Sequence, residues 1–241
     1  MNLTDILNGA FGVYRRHPGR LFLIAAAIIP LSVIATLVGS LFADSWIVAL
    51  VILPIALGVL YAVPSAALVR AVADALAGTT PDFWRSYAAA ISRLGRLVLA
   101  TLRLQIIVEA LAFVVVGAPL AFYLLIRWFF FAQAIMLEDA RAGEALKRSG
   151  DLVTGSWWRV AGIALVIVII SAAPTVFVSF VLFPGPAGGF GGVGLLSPPS
   201  GVSSTVTSVI GALMLPFAVS AETILFIDLR ARQARAAIAV A

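Results

Sequence analysis

The chain has 241 residues, of which 62% are hydrophobic and 11% are charged, and its formal net charge is +5. An ordinary soluble domain is about 45–50% apolar and about 25% charged, so this composition excludes a water-soluble globular protein and predicts lipid as the solvent for most of the surface. Cysteine is absent, which excludes disulfides and thiolate metal sites, and the basic residues are scattered between apolar runs, which argues against a nucleic-acid partner.

The first 16 residues predict an amphipathic helix. Apolar residues recur at helical spacing over residues 3–16, and Asn2 and Asp5 are placed as a capping pair. Pro18 separates this segment from the first long apolar run. We expect the helix over residues 3–16 to lie in the membrane interface.

Six apolar runs follow, each close to the 20 or so residues that a helix needs to cross about 30 Å of hydrocarbon. The predicted spans are residues 21–43, 46–69, 97–116, 120–137, 160–183 and 203–227. Backbone polar groups in lipid must be satisfied within each segment, so these runs are expected to be helices. The predicted fold class is all-α: a polytopic membrane protein whose single domain, residues 1–241, is a bundle of six transmembrane helices with short interfacial amphipathic helices.

The basic residues predict the orientation. Lys and Arg precede the first span, lie between spans two and three and between spans four and five, and follow the sixth, whereas the other three connections contain none. The positive-inside rule then predicts a multi-pass protein of the bacterial cytoplasmic (inner) membrane with both termini in the cytoplasm. The Gly/Pro/Ser-rich loop over residues 184–201 is expected on the opposite side.

The connection between spans four and five predicts a second amphipathic helix. Its charges are spaced to form two i,i+4 pairs, Glu144 with Arg148 and Lys147 with Asp151. Two interpretations stay open: a docking surface for a partner protein or lipid headgroups, or a solvated connecting helix that rests on the bilayer. The candidate docking residues are Glu138, Glu144, Lys147, Arg148 and Asp151.

Four ionisable residues fall inside the predicted spans: Arg103, Glu109, Arg127 and Glu222. Each unpaired charge near the bilayer centre costs at least about 2.5–3.5 kcal/mol, so these groups should face the interior and pair. Their depths along the helices predict the pairs Arg103–Glu222 and Glu109–Arg127. Such pairs could serve only to set helix register, or the four residues could line a polar cavity that binds a headgroup, an ion or a small solute.

The sequence shows no catalytic constellation. Its one histidine, His17, lies near the amino terminus and cannot complete a Ser/His/Asp set within the spans, and no metal-spaced cluster occurs. Residues 189–194 match G-x-G-x-x-G, but they lie in a loop without a preceding strand, so we interpret them as linker composition. We therefore expect a non-enzymatic protein without a cofactor.

Loose motifs at both ends and in the middle of the chain resemble one membrane-protein family. It is the multi-span membrane domain family attached to some bacterial glycerophosphodiester phosphodiesterases, which includes related stand-alone proteins of unassigned function. The residues that carry the resemblance are Leu3, Ile6, Leu7, Ala10, Phe11 and Tyr14 to Arg16, then Arg127, Trp128, Ile135 to Glu138, Gly143, Ala145 to Ser149, Leu152, Val153, Gly155, Trp158 and Arg159, and Asp228 to Arg230 with Arg232. The chain has no phosphodiesterase domain, so that activity is not implied.

These observations lead to two predicted functions. The first is a non-enzymatic membrane module for lipid- or envelope-related processes, with the lipid bilayer, lipid headgroups or another membrane or cytoplasmic protein as partners. The alternative is a transporter or permease-like subunit with a polar intramembrane cavity. The short helix between spans four and five also resembles the coupling helix of ABC-transporter permeases, which fits the alternative.

Overall fold

The computed structural model describes residues 2–41, 45, 48–112, 117–182 and 201–240. All regular structure in those residues is helical, as the predicted fold class requires. The helices are α1 (Leu3–Arg16), α2 (Pro18–Ala26), α3 (Ile28–Leu41), α4 (Leu53–Leu76), α5 (Phe83–Ile91), α6 (Leu94–Ala112), α7 (Ala118–Arg127), α8 (Phe131–Glu138), α9 (Ala142–Val153), α10 (Trp157–Leu182) and α11 (Gly201–Val240), and a π-helix over Val48–Ile52 precedes α4.

Five stretches of the described chain are long and apolar enough to cross a membrane. They are Pro18–Ala35, Leu53–Leu76, Ala118–Glu138, Trp157–Leu182 and Thr205–Ala236, and they coincide with all the predicted spans except the third. That span corresponds to α6, a 19-residue helix that carries Arg96, Arg103 and Glu109 and is therefore less apolar than the others. The chain is an all-α protein with the helices of a membrane protein.

Several predicted boundaries differ from the structure. The first predicted span is divided at Ala27 into α2 and α3, close to Pro30, which has no N–H to donate to the preceding turn. The fourth is divided by a turn between Arg127 and Phe131. Some predicted boundaries lie outside the described residues: the span ends at 43, 116 and 183 and the span start at 46. Residues 189–194 and nearly all of the loop over 184–201 also lie outside them.

Helices α4 and α11 lie at the centre of the packing. Helix α4 contacts α2, α3, α5, α6, α8 and α11, and α11 also packs on α1, α9 and α10. The predicted amino-terminal helix is confirmed as α1, which buries Ile6, Ala10 and Val13 against the bundle. This arrangement brings one face of α4 opposite α6, α8 and α11, where the cavity described next is located.

Candidate functional site

A cavity of about 190 Å³ lies within the bundle between α4, α6, α8 and α11. Helix α4 supplies five lining residues at helical spacing, so a single face of that helix forms one wall. The lining residues are Gly58, Tyr61, Ala62, Ser65 and Val69 from α4, Leu97 and Thr101 from α6, Phe129, Phe131, Ala132 and Gln133 from α8 and the turn before it, and Val219 and Glu222 from α11. Among them, Glu222 is the one carboxylate, and none is Lys, Arg or His.

The Glu222 carboxylate has an amide as its polar neighbour. Gln133 Nε2 donates a hydrogen bond to Glu222 Oε2 at 3.2 Å. Gln133 is only 1% exposed, whereas Glu222 is half-buried. In the part of the chain that the structure describes, no basic side chain lies within 4.0 Å of the Glu222 oxygens.

Two further acceptors in the cavity wall lack partners. Gln133 Oε1 and Thr101 Oγ1 are buried and have no hydrogen-bond partner among the described residues. Thr101 is 5% exposed. A buried polar atom without a partner costs about 1–3 kcal/mol, so both atoms are unusual features of this wall.

Prolines lie inside two long helices that border the cavity. Pro64 lies inside α4 beside Ser65, and Pro216 lies inside α11 six residues before Glu222. Proline removes one backbone donor and so frees the carbonyl four residues before it. Ser220 Oγ donates to the Pro216 carbonyl at 2.6 Å, a side-chain bond one turn further along α11.

The predicted pairs Arg103–Glu222 and Glu109–Arg127 are wrong for the described residues. Neither forms a salt bridge, and both arginines instead lie against glycines of α9. A Cβ atom at Gly143 would lie 3.1 Å from Arg103 Nη1, and one at Gly150 would lie 2.8 Å from Arg127 Nε.

The structure thus brings only one of the four predicted intramembrane charges, Glu222, to the cavity. Arg103 is exposed, Arg127 is half-buried and donates to the Tyr123 hydroxyl at 3.4 Å, and Glu109 is half-buried on α6.

Helix α9 is held to the turn between α7 and α8 by one serine. Ser149 Oγ donates to the Arg127 carbonyl at 2.9 Å and accepts from the Phe130 N–H at 3.0 Å. Ser149 is fully buried. Because the turn breaks the helical hydrogen-bond ladder, this side chain supplies partners that the α7–α8 backbone would otherwise lack.

Three of the predicted docking residues, Glu138, Glu144 and Arg148, make contacts within the chain, whereas the other two are exposed. Glu138 forms a bidentate ion pair with Arg148, with Nε–Oε2 at 2.7 Å and Nη2–Oε1 at 3.1 Å, and it also pairs with Arg230 of α11 at 3.4 Å. Glu144 accepts from the Arg141 N–H at 3.2 Å, a contact that caps α9. Lys147 and Asp151 are exposed.

Neither predicted i,i+4 pair of α9 forms a salt bridge in the described part of the chain. Arg148 turns instead toward α8 and α11, where it also donates to Gln233 Oε1 at 2.9 Å. The apolar face of α9 is buried by the bundle. Only its charged side, with Glu144, Lys147 and Asp151, is therefore available to a partner.

The remaining ion pairs lie near the connections that the sequence predicts to be cytoplasmic. Asp74 pairs with Arg70 and Arg85, Asp139 with Arg93 and Arg96, and Asp228 with Arg159 and Arg232. A hydrogen bond from Arg93, together with the charge of Arg96, holds the pKa of the Asp139 carboxyl below its usual value. These pairs neutralise much of the basic charge between the helices.

Sequence reasoning missed most of the cavity. Gln133, Thr101, Ser65 and Tyr61 are uncharged, and isolated hydroxyls and amides are common in membrane helices, so none was singled out. The available signal was their spacing: Tyr61 and Ser65 are four residues apart, which places both on one face of a helix. Which helices face one another cannot be read from such spacing.

Comparison with known proteins gives a family without an assigned activity. The model of a domain of unknown function (DUF7847) matches residues 1–225. No curated protein matches the chain, and no solved structure does. The match covers nearly the whole sequence, so the chain belongs to this family.

Proposed function

We propose that this member of the DUF7847 family is a non-enzymatic, multi-pass membrane protein that binds a small polar solute in the cavity beside Glu222, as a permease-like subunit would. The observation that carries the proposal is the Glu222–Gln133 pair in a cavity whose wall holds two more unpartnered acceptors. Intramembrane carboxylates are costly and mark binding sites or ion pathways. The prolines inside the helices beside the cavity support the same interpretation, because each removes a backbone donor.

The size of the cavity favours a solute over a lipid. A volume of about 190 Å³ has room for a small solute with water, because a water needs only about 10–15 Å³ of such space. It is small for a whole phospholipid, whose acyl chains would have to stay outside. A membrane module for lipid- or envelope-related processes, the other function predicted from the sequence, is therefore less well supported by this cavity.

We further propose six spans, with α6 as the third, in the bacterial inner membrane. At about 1.5 Å per residue, the 19 residues of α6 reach about 28 Å, close to the hydrocarbon thickness. Arg96, near one end of α6, is neutralised by Asp139 at 2.9 Å. An even number of spans and the positions of the basic connections together support cytoplasmic termini.

Thiol labelling tests whether the cavity is open to water. The chain has no native cysteine, so single cysteines react without background. Ser65→Cys and Thr101→Cys place thiols on the cavity wall, and the neighbouring Ala66→Cys and Ala100→Cys place them at fully buried positions. The measurement is the rate of modification by 2-aminoethyl methanethiosulfonate in protein reconstituted in liposomes.

We expect each cavity thiol to react about tenfold or more faster than its neighbour, since a hydrated thiol ionises more readily to the thiolate that attacks the reagent and displaces methanesulfinate. The neighbours differ by one residue along the same helix, so depth in the bilayer is matched. Equal rates within both pairs would contradict the proposal.

A further inference from the structure

The cavity presents acceptors to whatever enters it. Gln133 Nε2 donates to Glu222, which leaves Gln133 Oε1 without a hydrogen-bond partner, and Thr101, whose Oγ1 also lacks a partner, lines the same cavity. Hydrogen bonding sets the amide orientation, because Gln133 Nε2 is the atom that can donate to a carboxylate. The Glu222 carboxylate and Gln133 Oε1 act only as acceptors, so a cation or a hydrogen-bond donor suits them.

The charges of the lining residues also favour a cation as the ligand. Among the described residues, the lining contains Glu222 and no basic side chain, and no Lys, Arg or His nitrogen lies within 4.0 Å of this carboxylate. An ionised carboxylate is strongly disfavoured in a low-dielectric interior unless a cation accompanies it.

Resting on the proposed function, we propose that the cavity binds one small monovalent cation, a hydrated alkali-metal ion or an ammonium-type ion, on Glu222, Gln133 Oε1 and Thr101 Oγ1. A single carboxylate neutralises a single positive charge, whereas a divalent ion would leave an uncompensated charge inside the bundle. Carboxylate, amide and hydroxyl oxygens are the ligands that hard cations prefer. The 190 Å³ volume leaves room for the ion and several waters.

Cation-dependent stability of the purified full chain tests this proposal. Thermal unfolding in lipid nanodiscs is followed at constant ionic strength in the chlorides of sodium, lithium, potassium, ammonium, methylammonium and N-methylglucamine, the last serving as the bulky reference cation. We expect a saturable rise in unfolding temperature with at least one small cation and none with N-methylglucamine. The order among the salts distinguishes a metal ion from an ammonium-type ion.

Matched variants locate the effect. Glu222→Gln keeps the hydrogen bond with Gln133 but removes the charge, and it should abolish the cation response. Glu109→Gln removes the other intramembrane carboxylate, which does not line the cavity, and should preserve the response. Thr101→Val removes one ligand at nearly constant volume and should weaken the apparent affinity about tenfold, the loss expected for one ligand contact.

The same unfolding curve in all salts, or a cation response that survives Glu222→Gln, would overturn the proposal. If Glu222→Gln does not fold, Thr101→Val decides, because unchanged affinity in that variant overturns it equally. If the cavity cysteines are labelled fast but no cation changes the unfolding temperature, the cation proposal is wrong and the proposed solute cavity is unaffected. If labelling is slow and no cation changes the unfolding temperature, both proposals are wrong.

Discussion

Glu222 faces an amide because of the angular positions of residues around α6. Thr101 lines the cavity, and Arg103 follows it by two residues, which is about 200° around a helix. Arg103 therefore points away from Glu222, toward Gly143 of α9. Depth along the helix axis put Arg103 and Glu222 at the same level, but depth carries no information about direction.

For all four intramembrane charges, the sequence gives the depth of the residue but not the neighbour that it faces. The sequence identified each as unusual from its cost in lipid, and Glu222 does lie at the polar cavity. Its partner, Gln133, is one of many uncharged polar residues in apolar runs, so only the packing of α8 against α11 identifies it. Predicting the site from sequence would have required knowing which helices are neighbours.

Ser149 offers a test of the packing of single residues. Replacing it with alanine removes a donor to the Arg127 carbonyl and an acceptor for the Phe130 N–H, and the Ser149 side chain that makes both bonds is fully buried. We expect Ser149→Ala to lower the free energy of unfolding by about 1–3 kcal/mol, measured by denaturant or thermal unfolding in detergent.

Ser92→Ala is the matched control. Ser92 is exposed and donates only to the Ala89 carbonyl in its own turn, so its loss should change stability by less than about 0.5 kcal/mol. Similar effects of the two variants would mean that Ser149 does not join α9 to the α7–α8 turn.

At the scale of elements, hydrophobic length predicted the helices well and their ends poorly. Helix α1 has the predicted bounds, because its capping pair and Pro18 mark both ends locally. Helix α11 instead continues to Val240, well beyond the predicted end at 227. Its 40 residues reach about 60 Å, twice the hydrocarbon thickness, so its charged half continues as helix where apolar character has ended.

Whether α6 crosses the membrane decides the relation between the termini. If six helices cross, both termini lie on one side, and if α6 does not cross, five crossings place them on opposite sides. Asn8→Cys in α1, Thr80→Cys between α4 and α5, and Ala234→Cys in α11 provide exposed single thiols. We expect a membrane-impermeant maleimide to label all three in inside-out vesicles and none in intact spheroplasts.

Labelling of Ala234→Cys from the side opposite to Asn8→Cys would exclude the six-span arrangement. Thr80→Cys serves as the internal reference, because an even number of proposed spans separates it from either terminus. The test does not depend on the cavity, so it examines the fold alone.

The whole molecule separates its charges into two environments. In the described residues, the ion pairs lie near the connections that contain most of the Lys and Arg residues. The arginines with a carboxylate partner there include Arg93, Arg96, Arg148, Arg159 and Arg230. The cavity instead has one carboxylate beside an amide, with two unpartnered polar atoms in its lining residues. The positions of the basic residues in the sequence indicated where the first environment would be found, but the second arises only when four helices pack together.

A high-resolution structure of the protein in lipid nanodiscs tests the central claim most directly, because it shows what occupies the space beside Glu222. We predict ordered water or ligand density within about 3 Å of both Gln133 Oε1 and Thr101 Oγ1, as hydrogen bonding to either atom requires. A closed, dry bundle in which the Glu222 carboxylate pairs with the Arg103 guanidinium would contradict the account.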